Sequence, residues 1–329
     1  MAGLGDIDYF TTDTIISNFR KLTHLLVIGG GPAGLELAQA FCRLGCTVSL
    51  IEKSTVLRFH DRELVDIALR GLREEGVDIR EHSTVSQIEA RSQGIGVRIT
   101  NEAGDEQTLD VSHVLVAAGR HANIEGLDLG LARVATTGAL QKRVRLNRFG
   151  GTSNFRIFAI GDAAGAHAQL PEIEHQATMA IHRALLGRTA EQAPLVARTV
   201  YTDPELAEVG MTEAEAKKRI GKGYRLVRCA FSDNRRALAI RQTYGVAKMV
   251  CAPNGSIVGA SIVGPQASEL VALFSMAIAQ RLNARHFEKL TPVNPTLSEI
   301  LQQLGTQYGR DRPLARWIRP IMAIKRALP

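Results

Sequence analysis

Four apolar residues in a row, Leu25-Leu26-Val27-Ile28, lead straight into Gly29-Gly30-Gly31-Pro32-Ala33-Gly34. An apolar run of that length suits a strand buried on both faces, and glycines 29, 31 and 34 make a G-x-G-x-x-G spacing at its end. Leu35, Leu37, Ala38, Phe41 and Leu44 then predict a helix with one face on a sheet, closed by Gly45, with a second strand over Thr47 to Ile51 and Glu52 at its tip. Each glycine has a mechanical reason. Gly29 permits the tight turn, Gly31 lets a pyrophosphate approach the backbone, and Gly34 lets helix and strand pack closely. The diphosphate is expected on the helix N-terminus, where unpaired N–H groups and the helix dipole favour an anion. Glu52 is expected to accept the hydroxyls of an adenosine ribose. Its charge repels a 2′-phosphate, so NAD(H) is favoured over NADP(H), a preference that Lys53 and Arg58 weaken.

The chain has 329 residues, 45% of them apolar, enough for two or three domains with substantial cores. Cys42, Cys46, Cys229 and Cys251 form no disulfide framework, no apolar run is long enough for a bilayer, and Met1 to Phe10 does not read as a signal peptide. A cytoplasmic protein is expected. The net charge of +7 is uneven: residues 306–329 hold six cations against Asp311, five of the seven net charges, so a nucleic-acid partner is not expected. Trp317, Ile318, Ile321, Met322 and Ile324 among those cations suit a tail packed on a subunit, or a membrane-surface segment.

Further along, a helix is predicted over 61–75 with Asp61 as its N-cap and Leu64, Val65, Ala68, Leu69 and Leu72 on one stripe. A strand at Val77–Arg80, a meander of period two from Val85 to Val111, turning at Asn101–Gly104, and a strand at Val114–Ala118 complete a nucleotide-binding domain over 24–123. Residues 124–195 offer one buried strand, Arg156–Ile160, then Gly161-Asp162-Ala163-Ala164-Gly165, then a helix over 172–186. One strand and one helix have nothing to pack on, so this stretch must complete a sheet made elsewhere. From 196 to 305 the chain reads as α+β. A capping box at Thr212–Glu215 opens a helix, strands are predicted at 224–231, 245–252 and 256–264, the last two joined at Asn254-Gly255, and a long apolar helix covers 268–282.

The series GGGPAGLELA, LVAAGR, FAIGDAAG, YTDPELAEVGMT, GASIVGPQASELV and NPTLSE resembles, in order and spacing, the class I pyridine nucleotide-disulfide oxidoreductases, among them dihydrolipoamide dehydrogenase, glutathione reductase and mercuric reductase. The resemblance implies an α/β chain: a Rossmann-type NAD(P)-binding domain, part of an FAD-binding domain, and an α+β interface domain that makes a homodimer, with residues 1–23 as a connector. It implies that Gly29, Gly31, Gly34 and Glu52 serve NAD(H), that Asp162 and Ala163 serve FAD, and that Gly119 and Gly161 belong to the cofactor-binding residues. It also implies that Glu36 stands beside the flavin and that Glu299 belongs to the C-terminal active-site motif. Hydride would pass from NADH to the flavin and on to a small-molecule acceptor.

Three departures qualify that implication. The family's first FAD motif is not in this sequence, so a separate polypeptide carrying that half is one expected partner. Its C-x-x-x-x-C redox pair is also missing, and Cys42 and Cys46, at a different spacing, do not replace it. Where the family has an acid–base histidine before the proline, this chain has Asn294, which cannot titrate, and Thr296-x-x-Glu299 reads equally as a helix-capping box. Two alternatives stay open: a non-catalytic NAD-binding and dimerising protein, and a chain in which the glycine turn itself holds FAD together with Asp162. His175 and His182 share a helix face, but no ligand-type residue stands at metal spacing, so no metal is expected.

Overall fold

The computed structural model describes residues 1–138, 142–147, 150–165, 169–187 and 195–310. The basic tail beyond Arg310, and the expectation attached to it, lie outside them. The chain forms two compact units, Met1–Arg58 with Leu72–Val200, and Phe59–Gly71 with the described residues from Tyr201 onward.

In chain order the first part runs through Phe10–Thr11 (β1), His24–Ile28 (β2), Pro32–Arg43 (α1), Thr47–Ile51 (β3), Arg62–Glu74 (α2), Asp78–Arg80 (β4), Ser83–Ala90 (β5), Ile95–Asn101 (β6), Glu106–Val111 (β7), His113–Val116 (β8), Thr136–Thr137 (β9), Arg143–Val144 (β10), Leu170–Leu186 (α3) and Arg198–Val200 (β11). Helix α2 begins in the second unit and ends in the first. Strands β1, β8, β2, β3 and β4, in that order, make a parallel sheet. A parallel sheet must be covered on both faces, and Leu25, Leu26, Val27, Val48, Leu50, Val114 and Leu115 are all fully buried. One face is closed by the antiparallel meander β5-β6-β7, whose Val85, Ile88, Val97 and Ile99 share a core with Leu26, Ile28, Ile51 and Val114. The meander turns where the sequence signals it, with the Asn101 amide donating to Asp105 Oδ2 at 2.9 Å. The connector contributes more than its pattern predicts, since Phe10 and Thr11 pair with Leu115 and Val116 at the sheet edge. Two residues are too few for any periodic signal.

The described residues of 124–165 form a small cluster, Ile124, Val134 and Val144, flanked by Leu146, Ile157 and Ala159. The buried strand expected at Arg156–Ile160 is not formed. Among the described residues this segment pairs through the isolated bridge Gly151–Phe158 and the Thr152 N–H to Ile157 carbonyl bond of 3.2 Å. Its sequence favours a strand, but a strand is stabilised by a neighbouring ladder, and among the described residues no adjacent sheet supplies one. Helix α3 forms as predicted, starting at Leu170 because Gln169 and Glu172 close a capping box and Pro171 is tolerated in the first turn. None of its residues is buried.

The second unit continues with Glu205–Gly210 (β12), Glu213–Arg219 (α4), Arg225–Ala230 (β13), Arg235–Ala239 (α5), Val246–Cys251 (β14), Ile257–Gly264 (β15), Ala267–Ala279 (α6), Ala284–Glu288 (α7) and Glu299–Arg310 (α8). Strands β12, β15, β14 and β13 are antiparallel neighbours in that order. The Asn254-Gly255 hairpin forms, with Gly255 at φ +87°, and so does the Thr212–Glu215 capping box. Gly305 lets α7 and α8 meet at backbone distance, because a Cβ there would lie 2.2 Å from the Glu288 nitrogen. At the start of α2 the Asp61 carboxylate accepts the Glu63 N–H, as an N-cap should. Its other oxygen meets the buried Lys248 ammonium at 2.6 Å, joined by Glu63 at 3.0 Å and Glu213 at 2.7 Å. Those three carboxylates replace the water that a lysine 1% exposed has lost.

Candidate nucleotide-binding site

The three glycines occupy three different environments. Gly29 sits at φ +116°, and a Cβ there would lie 2.5 Å from the Ala117 carbonyl oxygen, so both the turn and the approach of β8 require glycine. A Cβ on Gly34 would fall 2.1 Å from the Gly29 carbonyl oxygen, which is the close helix–strand contact expected of it. Gly31, the N-cap of α1, faces the opposite situation: no residue beyond its chain neighbours comes within 4 Å of its Cβ position. That open side adjoins the start of a twelve-residue helix that has no side-chain cap and no acidic residue in its first turn, where N–H groups are available to an anion. The residues present therefore fit a diphosphate.

Glu52 does more than its sequence position suggests. Its Oε2 accepts the Gly30 N–H at 2.7 Å, and its Oε1 accepts both the Ser54 N–H and the Ser54 hydroxyl at 2.8 Å. Burial pushes this carboxyl up, but the Gly30 and Ser54 donors and the Arg58 charge outweigh burial and hold it below the ordinary carboxylate range. A carboxylate has about four acceptor sites, and three are used, which leaves capacity for one more donor such as a sugar hydroxyl. Sequence reasoning missed this bracing of the glycine turn. The serine two residues beyond the acid is the only local signal for it. Val56, whose N–H donates to Glu81 Oε1 at 2.8 Å, closes the same side.

The other expected site residues are distributed as follows. Gly119, three residues after β8, adopts φ +114°, and its Cβ position is open. Gly161 is buried at φ +60°, with its N–H donated to Gln176 of α3 at 2.8 Å. Asp162 and Ala163 lie in a short 3-10 turn, Gly161–Ala164, and Asp162 Oδ2 pairs with Arg120 at 3.3 Å. This pair brings the ends of two expected motifs together, although both side chains remain substantially exposed. For a flavin, these described residues offer one acid, one cation and one turn. Glu36 is half-buried on the second turn of α1.

The capping box expected at Thr296–Glu299 is not formed. Thr296 Oγ1 donates instead to the Val293 carbonyl at 2.7 Å and contacts Ser298 Oγ at 3.0 Å, and Glu299 opens α8 with its Oε2 buried and unpartnered. The turn is held by a residue that the sequence did not reveal, the fully buried Asn234, which donates to the Thr296 carbonyl at 3.2 Å. Asn294 is exposed. Cys42 and Cys46 donate to backbone carbonyls of Glu75 and Thr47, and burial raises both thiols. Cys229 and Cys251 are pushed up to about 12 by burial. Thiols held protonated in this way are poor nucleophiles. Among the described residues no group of three or more His, Cys, Asp or Glu is arranged to hold a metal, and no helix is long and apolar enough to cross a membrane.

Residues 3–185 match the model of the pyridine nucleotide-disulphide oxidoreductases, and residues 196–304 match the dimerisation domain of the same family. The chain is 34% identical over 285 residues to a dihydrolipoyl dehydrogenase of Thermus scotoductus, which covers 85% of this chain and 60% of that protein. It is 31% identical over 282 residues to the corresponding protein of Geobacillus stearothermophilus (85% and 59%). A mercuric reductase of Lysinibacillus sphaericus is 28% identical over 316 residues (94% and 57%). The chain thus spans about three fifths of the length of these curated relatives. Among solved structures, the HOCl-induced flavoprotein disulfide reductase RclA from Escherichia coli superposes with a TM-score of 0.81 at 25% identity, covering 91% of this chain and 68% of that one. With its glycine turn, parallel sheet and separate antiparallel unit in the order these matches require, the chain belongs to the pyridine nucleotide-disulphide oxidoreductase family.

Proposed function

We propose that this chain binds NADH at the glycine turn and works in a flavin-dependent oxidoreductase, as a cytoplasmic homodimer built through its second unit. The open side of Gly31 beside the uncapped start of α1 is the observation that carries this reading. The α1 N–H groups would hold the diphosphate and Glu52 one ribose hydroxyl, its carboxylate disfavouring the extra phosphate of NADPH. Arg120, paired with Asp162, would offset the repulsion between that acid and the phosphates of FAD. Bound FAD would supply the acceptor for hydride from NADH. Proton transfer to a leaving thiol has no titrating group at Asn294, so the acceptor is a small molecule of a class the residues leave open.

The test is Gly31→Val, which fills the diphosphate approach and whose Cβ meets no residue beyond its chain neighbours. NADH titration should show binding weakened by about a hundredfold or more, the order expected when a dinucleotide loses its phosphate anchor. Unchanged binding would falsify the site. Asn294 and the protonated thiols also favour a second reading, an NAD-binding and dimerising protein without turnover of its own. Purified protein that binds NADH and carries no flavin absorbance would support that reading over the first.

A further inference from the structure

Main-chain bonds fold residues 52–57 against the glycine turn without using the Ser54 hydroxyl. The Leu57 N–H donates to the Gly30 carbonyl at 3.1 Å, the Ser83 N–H to the Glu52 carbonyl at 3.0 Å and the His82 N–H to the Ser54 carbonyl at 3.1 Å. Val56 and Leu57 are buried, and the Val56 N–H is held by Glu81. The Glu52 side chain lies along the same turn, since a Cβ on Gly30 would come within 3.0 Å of its Cβ and 3.1 Å of its Cγ. Backbone and packing therefore set the place of the acid, and its donors set what it can still accept. Gly30 takes one site on Oε2, and Ser54 takes two on Oε1, its N–H and its hydroxyl each at 2.8 Å. The N–H would be there with any residue but proline. The hydroxyl depends on the side chain.

NADH and NADPH differ at one oxygen of the adenosine ribose. NADH offers its 2′ and 3′ hydroxyls, whereas in NADPH the 2′ oxygen carries phosphate and the 3′ hydroxyl alone can donate. A carboxylate with two vacant acceptor sites gains a bond from NADH that NADPH cannot make. One with a single vacant site takes one hydroxyl from either, and Glu52, with its three donors, is of the second kind. Lys53 and Arg58, both exposed on the same loop, add two positive charges that lower the repulsion of an extra phosphate. We propose that Ser54 is a positioning residue that sets coenzyme selectivity at this turn: its hydroxyl occupies an acceptor site on Glu52, confines the acid to one ribose hydroxyl and keeps the discrimination between NADH and NADPH shallow. The inference rests on the NADH site proposed above and adds to it a residue that neither the glycines nor the acid mark. Glu52 supplies the charge, and Ser54 decides how much of it the ribose can use.

The experiment is calorimetric titration of the full 329-residue chain, and of its Ser54→Ala and Ser54→Thr variants, with NADH and separately with NADPH. Ser54→Ala should raise the ratio of the NADPH to the NADH dissociation constant by about tenfold, chiefly by tightening NADH, as the gain of one hydrogen bond to a charged acceptor requires. Ser54→Thr keeps a hydroxyl donor and should leave the ratio within about twofold of wild type. Equal weakening of both coenzymes in Ser54→Ala would reveal a purely structural role and overturn the proposal. So would an unmoved ratio, or the same rise in Ser54→Thr. A wild-type chain that binds neither coenzyme would overturn the NADH site itself and this assignment with it, an outcome distinct from binding with an unmoved ratio, which sinks the Ser54 assignment alone.

Discussion

Helices α1 and α3 begin alike and end up in different situations. Both start with a proline in the first turn and carry apolar residues at helical spacing. Gly34, Leu35, Ala38 and Gln39 of α1 are buried against the parallel sheet, whereas no residue of the longer α3 is buried. The comparison teaches that helix-forming pattern and helix partnership are separate properties. Capping and propensity are local, but burial needs a second layer, and most of a helix's stability in a folded protein comes from that layer.

The comparison breaks most readily at the contact that seats α1. Gly34→Val should destabilise the protein by about 3 kcal/mol or more in urea denaturation, because the added Cβ meets the Gly29 carbonyl and backbone, not a flexible side chain, must yield. A loss under about 1 kcal/mol would mean the helix can slide off the strand at little cost. A similar size of effect is expected for Lys248→Met in the second unit, about 3–5 kcal/mol, since it removes the buried cation shared by Asp61, Glu63 and Glu213 and leaves only the exposed Arg228 beside two of them.

Of middle size is Glu52→Gln, expected to cost about 1–2 kcal/mol near neutral pH through its weakened bonds to Gly30 and Ser54. The sign of its pH dependence follows from the depressed carboxyl. A group with a lower folded pKa contributes stability above its unfolded pKa and loses it as pH falls through the folded value. The gap between wild type and Glu52→Gln should therefore be constant at neutral pH and shrink below the ordinary carboxylate range. A gap that widens on acidification would sink the bracing role. The smallest effect belongs to α3: Leu185→Asp alone should change the stability of this chain by less than about 0.5 kcal/mol, because the side chain is 77% exposed. A large loss would reveal a partner surface within this chain.

The turn around Gly29–Gly34 was legible because its determinants are contiguous: strand, glycines, helix and acid follow one another, and each obeys a local rule. Strands β13, β14 and β15, the Asn254-Gly255 hairpin and the Thr212 cap were legible for the same reason, whereas β12 of the same sheet was not read from the sequence. Where sequence reasoning failed, the deciding partner was distant or missing. Arg156–Ile160 has the composition of a strand and, among the described residues, no ladder to join. Thr296 turned to Val293 and Ser298 instead of capping α8, in a turn held by Asn234 from 62 residues away.

The sequence by itself determined that a glycine turn ends a buried strand and opens a helix, because backbone sterics at Gly29 and Gly34 admit nothing larger. Only the tertiary structure decided that Glu52 braces that turn as well as facing it, and that Lys248 draws in Asp61 from 187 residues away. It also left α3 bare. Charge pairing and burial depend on which surfaces the folded chain brings within a few ångströms, and residue order alone does not encode that.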